Sequence, residues 1–398
     1  MSCRLPVQTA PSGHAEVSRG SSPLSRLRST LVRRVLGTSI ILAGLGWLSS
    51  EGPRIAAGAD ASDGLRIEVV VTGIPRPIQL GFDGQGALVV LSQGWRGDAA
   101  GEIYRIDLRG TQPVDATRVP RVVIPFAGEP RKAVLGSLAV DPRSGDLFLG
   151  EENGNRIYRL GAGHRLQAVA VGLDHLLGGS TIALDARGRL VFLDYASPET
   201  HLRSETPLAP SLSWLTEEGY RGPVVFRADL HDDRPLPRRA DVLVPILPQI
   251  GRSVSSQESP SREPPSRDPP SREPPSREPP SRDPMWRLIG VTSAGDGLIV
   301  LSAVGDVSTL GSDGDLRFIA RLPVGHYHRT SLAVGPDGSV FVSGGFQIQK
   351  IYRVSPAGEV STVASELGDP GGIVFDRSGA LYVAETALHR IIRITGLR

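Results

Sequence analysis

An all-β fold of six four-stranded sheets closed into a ring, a β-propeller, is what this 398-residue sequence predicts. Three observations lead there. A unit of two short apolar runs joined by a glycine turn recurs six times. No long stretch after residue 62 shows a 3.6-residue hydrophobic period. One β-branched run, RIEVVV from Arg66, stands ahead of the first unit with no hairpin partner of its own.

The fullest copy runs from Asp369 to Ile394, DPGGIVFDRSGALYVAETALHRIIRI. Its apolar runs, Gly372 to Phe375 and Leu381 to Ala384, flank the turn Asp376-Arg377-Ser378-Gly379, and a third strand follows from Arg390. A unit this thin cannot bury its own apolar face, so copies must shelter one another. They begin at Gln79, Ser137, Ser180, Gly290 and Ser331. The unpartnered run at Arg66 is expected to become the outermost strand of the last blade and so close the ring.

Residues 1–61 read as an export signal and leader, and 62–398 as the propeller. The leader carries seven arginines against three acids and contains Arg33-Arg34. The uncharged run Val35 to Leu48 follows, and Ala57, Ala59 and Ala61 stand in cleavage-site spacing. Fourteen residues are too few for a membrane span, which needs about twenty. A secreted or periplasmic protein with no stable span after cleavage, and a monomer, is the expectation. The leader holds +4 of the chain's net +2, leaving −2 on the remainder, so nucleic acid is not the expected partner. Cys3 is the only cysteine, which excludes an intramolecular disulfide or a thiolate metal site in the body.

Blade three departs from the pattern, with a long connection from Tyr195 to Gly222 after its second strand. Residues 251–284, between blades three and four, form a low-complexity insert repeating Ser-Arg-Glu/Asp-Pro-Pro. Prolines there remove backbone donors, and alternating charges keep the segment solvated, so a disordered or polyproline-like strip is expected.

In a propeller the loops leading into each innermost strand share one face with the loops after each second strand. In register, the positions after the second strand are Ser92, Glu151, Asp194, Ser302, Gly344 and Glu385; the lead-in positions include Arg76, Asp174-His175, Trp286, His326-Tyr327-His328 and Asp369. Glu151, Asp194 and Glu385 are the candidate ligands for a divalent cation such as calcium, with His175 or His326 as base. Trp214, Tyr220, Trp286 and Tyr327 are candidate binding residues. The same acids have a plainer role available, bonding loop amides as Asx residues do in turns.

The phrase LYVAE…HRI, from Leu381 to Ile391, is similar to the units of NHL-type propellers. The six-unit count resembles the senescence-marker-protein/gluconolactonase and strictosidine-synthase-like families, over about residues 66 to 398. The gluconolactonase resemblance implies a metal held by an opening Glu, two Asn and an Asp. This sequence has Arg76-Pro77 at the first-blade position and no Asn-Gly before any inner strand. It also lacks a Gly-x-Ser-x-Gly elbow, a Walker loop and a zinc spacing. The expectation is an exported propeller that binds a small molecule or protein at its channel mouth without turnover. The alternative is a metal-dependent lactonase or esterase.

Overall fold

The structure, a computed structural model, describes residues 64–94, 100–110, 112–124, 134–152, 154–161, 163–173, 176–194, 223–230, 236–238, 241–244, 287–325, 327–345 and 347–397. All belong to the second of two compact units, Ile55–Arg398; the first, Met1–Arg54, lies outside the described residues. Strand β1 (Arg66–Thr72) precedes blade one, which comprises β2 (Pro77–Phe82), β3 (Leu88–Ser92), β4 (Gly101–Ile106) and β6 (Arg121–Ile124), with the two-residue β5 (Val114–Asp115) before the last of these. Blade two is β7 (Leu135–Val140), β8 (Leu147–Glu151), β9 (Arg156–Leu160) and β10 (Leu166–Ala170). Blade three is β11 (Ile182–Leu184), β12 (Leu190–Asp194), β13 (Val224–Ala228) and β14 (Val242–Val244). Blade four is β15 (Leu288–Ala294), β16 (Gly297–Ser302), β17 (Asp306–Leu310) and β18 (Leu316–Arg321). Blade five is β19 (Leu332–Val334), β20 (Val340–Ser343), β21 (Ile351–Val354) and β22 (Val360–Ala364). Blade six supplies only β23 (Pro370–Phe375), β24 (Leu381–Glu385) and β25 (Arg390–Thr395) from its own stretch of chain.

The missing fourth strand of blade six is β1, as the sequence requires. It pairs antiparallel with β25 from Arg66↔Thr395 to Thr72↔Arg390. The seam is also laced a second time, which the sequence does not announce. β5, from the connection between the third and fourth strands of blade one, pairs parallel with β1 at Val71↔Val114 and Thr72↔Asp115.

Six hydrophobic clusters make the core, and each lies between two adjacent blades. Strand β3 shows why its sequence is a continuous apolar run. Leu88 and Val90 pack toward blade six, while Val89 and Leu91 pack toward blade two. A strand covered on both faces needs apolar residues at every position rather than at alternate ones. Aromatic edges join blades as well: Phe82 meets Tyr382 at 5.2 Å between ring centres, and Phe341 meets Phe375 at 4.9 Å.

The Asp-x-x-Gly turn works through its two end residues. Asp376 accepts the N–H groups of Ser378 and Ala380 on one carboxylate oxygen, and Gly379 takes φ +85°, a conformation that L side chains rarely adopt. Blade one repeats the device with Asp83 and Gly86.

Candidate functional site: the channel mouth

One recurring hydrogen bond fixes the upper face. The residue immediately after the second strand donates its N–H to the carbonyl of a residue leading into the innermost strand. The pairs are Gln93 to Arg76 (3.2 Å), Glu152 to Val134 (3.0 Å), Ala303 to Arg287 (2.8 Å) and Thr386 to Asp369 (3.2 Å). This draws both loop sets together around the axis, as the register of the sequence implies.

The channel below is plugged by small polar side chains from the innermost strands. Gln79 of blade one accepts the Ser331 hydroxyl of blade five at 3.0 Å. Ser137 and Thr181 join hydroxyls at 2.7 Å, and the Ser180 N–H donates to the Thr330 carbonyl at 3.0 Å. Gln79 therefore borders two cavities: one of about 540 Å³ toward the hairpin turns, and one of about 480 Å³ at the mouth.

The mouth cavity carries the chemistry. Arg76, Glu152, Arg329, Asp369 and His389 line it, with Gln93 and Thr386 beside them. Arg329 of blade five donates to Glu152 of blade two at 2.6 Å, so this ion pair crosses the channel. The other Glu152 oxygen, Oε1, is buried with no hydrogen-bond partner among the described residues and lies against Gly136 and Gly178. A Cβ at Gly136 would come within 2.1 Å of that oxygen, and one at Gly178 within 2.2 Å. At Gly136 the added atom would also meet the Gly178 backbone at 2.8 Å, so that position in particular favours glycine.

Burial raises the Glu152 carboxyl above the usual carboxylate range, against the opposing pull of the Arg329 guanidinium. Folding then takes up a proton in the window just above ordinary glutamate values, and stability falls as pH rises through it. Glu152→Gln is expected to lose that slope. Its stability relative to the native chain should improve as pH rises through the window, because the amide has no proton to lose. Denaturant midpoints measured from pH 4 to 8 check this; a difference that stays flat with pH would refute it.

Backbone strain gathers at the same place. Seven non-glycine residues have positive φ among the described residues, and four of them line this one cavity: Arg76 (+44°), Arg329 (+54°), Asp369 (+52°) and His389 (+55°). Each such residue costs on the order of 1–3 kcal/mol and persists where the surroundings hold it. Arg76 and Asp369 also precede prolines, which restrict them further. His389 Nδ1 accepts the Arg76 N–H at 3.0 Å, which leaves the proton of a neutral ring on Nε2. Arg76 extends its guanidinium to the Gln93 side chain at 2.5 Å. Asp369, half-buried, has its carboxyl raised by burial alone.

Two of the acids singled out from the sequence, Glu151 and Glu385, sit one residue short of this cavity. Glu151 is buried and accepts the Tyr158 hydroxyl at 2.8 Å. Glu385 is fully buried, accepting the Gly368 N–H at 2.9 Å and the Arg390 guanidinium at 2.5 Å. Asp194 is buried at the end of β12, opposite Val224. The structure does not bring these three together: among the described residues, no three His, Cys, Asp or Glu side chains converge as a metal site. Tyr327 is 2% exposed, packs between blades four and five, and gives its hydroxyl to the Pro323 carbonyl, so it does not line the mouth. His175, His326, Trp214, Tyr220 and Trp286 lie outside the described residues. Of the lead-in residues named from sequence, Arg76 and Asp369 do reach the cavity; Glu152, Arg329 and His389 were not foreseen.

No family model matches the chain, and no curated protein matches it. Solved structures do. A gluconolactonase from Xanthomonas campestris superposes with a TM-score of 0.51 at 16% identity, covering 86% of this chain and 97% of that one. Virginiamycin B lyase from Staphylococcus aureus superposes with a TM-score of 0.47 at 13% identity, covering 84% and 99%. The fold is a six-bladed β-propeller. At such identities the likeness speaks for the fold alone. Among the described residues, no helix is long and apolar enough to cross a membrane.

Proposed function

We propose that this propeller binds a small polar ligand in its mouth cavity, without turning it over. The carrying observation is the clustering of four residues with strained backbone, two cationic, one acidic and one imidazole, around a single space of about 480 Å³. Strain of this kind costs stability, and a site is what keeps it in place. The leader expected over residues 1–61 would put that site in the periplasm or outside the cell.

A thermal-shift screen of metabolite-sized polar compounds tests the reading against Arg76→Asn and Arg329→Asn, since asparagine tolerates positive φ. Compounds that raise the unfolding temperature of the native chain should lose most of that effect in both variants. A compound that stabilises all three proteins equally binds elsewhere and counts against the mouth.

The alternative is metal-dependent hydrolysis of a lactone or ester. Its support is the pairing, in one cavity, of a carboxyl raised by burial, Asp369, with an imidazole, His389. Lactone hydrolysis in calcium or zinc that falls to background in Asp369→Asn would favour it over binding alone.

A further inference from the structure

We infer that the mouth cavity takes a small zwitterion, its carboxylate facing Arg76 and its ammonium facing Asp369; this rests on the mouth being a ligand site. The four charged side chains of the cavity are two cations and two anions, and they are not used alike. Arg329 and Glu152 pair with each other across the channel at 2.6 Å through one carboxylate oxygen, Oε2. Arg76 and Asp369 have no such arrangement. Arg76 is exposed, and its guanidinium meets only the neutral Gln93 side chain, with no acid paired to it among the described residues. The Asp369 carboxylate has neither a hydrogen-bond donor nor a cation among the described residues; only its main chain is bonded, to Leu367 and Thr386.

These two residues hold the same place in neighbouring blades. Each leads into an innermost strand, each stands before a proline, each has positive φ, and each accepts on its carbonyl the N–H that follows the second strand. Blades six and one adjoin at the seam, and both residues line the same cavity. The half-buried Asp369 carboxylate is poorly satisfied by the protein itself and favours a ligand cation, while the exposed Arg76 guanidinium stands open to a ligand anion. One cation and one anion so placed match a molecule with both charges close together. The glycines at 136, 179, 345 and 371 keep the remaining wall free of side chains, so room is left for a small body between the two charged ends.

Calorimetric titration with free α-amino acids, their amides and their N-acetyl derivatives tests this directly. The amide lacks the carboxylate and the N-acetyl form lacks the ammonium. At least one free amino acid should bind the native protein, with both derivatives at least about tenfold weaker, the scale of one lost charge-assisted contact. Arg76→Asn should abolish discrimination against the amide and keep it against the N-acetyl form. Asp369→Asn should do the reverse. If a variant fails to fold, the derivative comparison on the native protein decides alone. The inference is overturned if no amino acid binds, if a derivative binds as well as its parent, or if both variants lose the same discrimination. A neutral polyol that binds, and loses binding in Arg329→Asn while amino acids fail, would overturn the zwitterion and leave the mouth a ligand site.

Discussion

Val71→Asp should destabilise the propeller by about 4 kcal/mol or more, a large share of the 5–15 kcal/mol that holds a typical domain together. Val71 is fully buried in the middle of the seam, opposite Ile391 of β25 on one side and Val114 of β5 on the other. The aspartate would put an unpaired charge between two strands, where neither ladder offers it a cation, and the penalty for such burial is several kcal/mol even after relaxation. Because β1 is the fourth strand of blade six, its loss also uncovers the edge of β25 (Arg390–Thr395), an invitation to pair with another molecule. Guanidinium denaturation should show the midpoint collapse, and size-exclusion chromatography should show soluble aggregate in place of the native peak. Val71→Ala, which removes two methyl groups and adds no charge, should cost about 1–2 kcal/mol by burial alone. If the aspartate variant unfolds no more easily than the alanine one, the seam does not hold the ring shut.

The second large effect is expected at Glu385. This carboxylate is fully buried and takes the Gly368 N–H and the Arg390 guanidinium, binding the loop before blade six to its third strand. Glu385→Ala leaves a largely buried guanidinium without its counterion, for which the expected loss is about 3–5 kcal/mol. Glu385→Gln keeps an acceptor of the same shape and should lose less. The measurement that separates a structural carboxylate from a metal ligand is the same unfolding curve with and without calcium. A structural role predicts an equal loss in both, whereas a loss seen only in calcium would return Glu385 to the metal reading.

The sequence is legible where the fold repeats it. Alternating cluster membership along Leu88, Val89, Val90 and Leu91 explains why periodicity showed strands but not a polar face. The closing strand was readable because Arg66 to Val71 was β-branched with nothing nearby to pair with. The site was readable only to within one residue. Side chains alternate along a strand, so the last residue of the second strand, Glu151 or Glu385, turns into its own blade, while the next, Glu152 or Thr386, reaches the mouth. A sequence repeat marks the first of these positions, since the blade needs it, and leaves the second unmarked. Arg329 and His389 were hidden for another reason. Their place in the cavity depends on left-handed backbone, which glycine and asparagine advertise most strongly, histidine less so and arginine not at all. β5 could not be found by pattern at all, because two residues carry no period.

The doubly laced seam also sets a clock. Arg66 finds its partner at Thr395, so the chain must be made through Thr395 before β1 has more than the two-residue β5 to hold. Blades made in between can form their hairpins while waiting, but the ring stays unlocked until the C-terminal strand arrives. Closure is therefore a late event, and a nascent chain stalled short of residue 390 is left with the β25-facing edges of β1 and β24 both open, prey for proteases and chaperones alike.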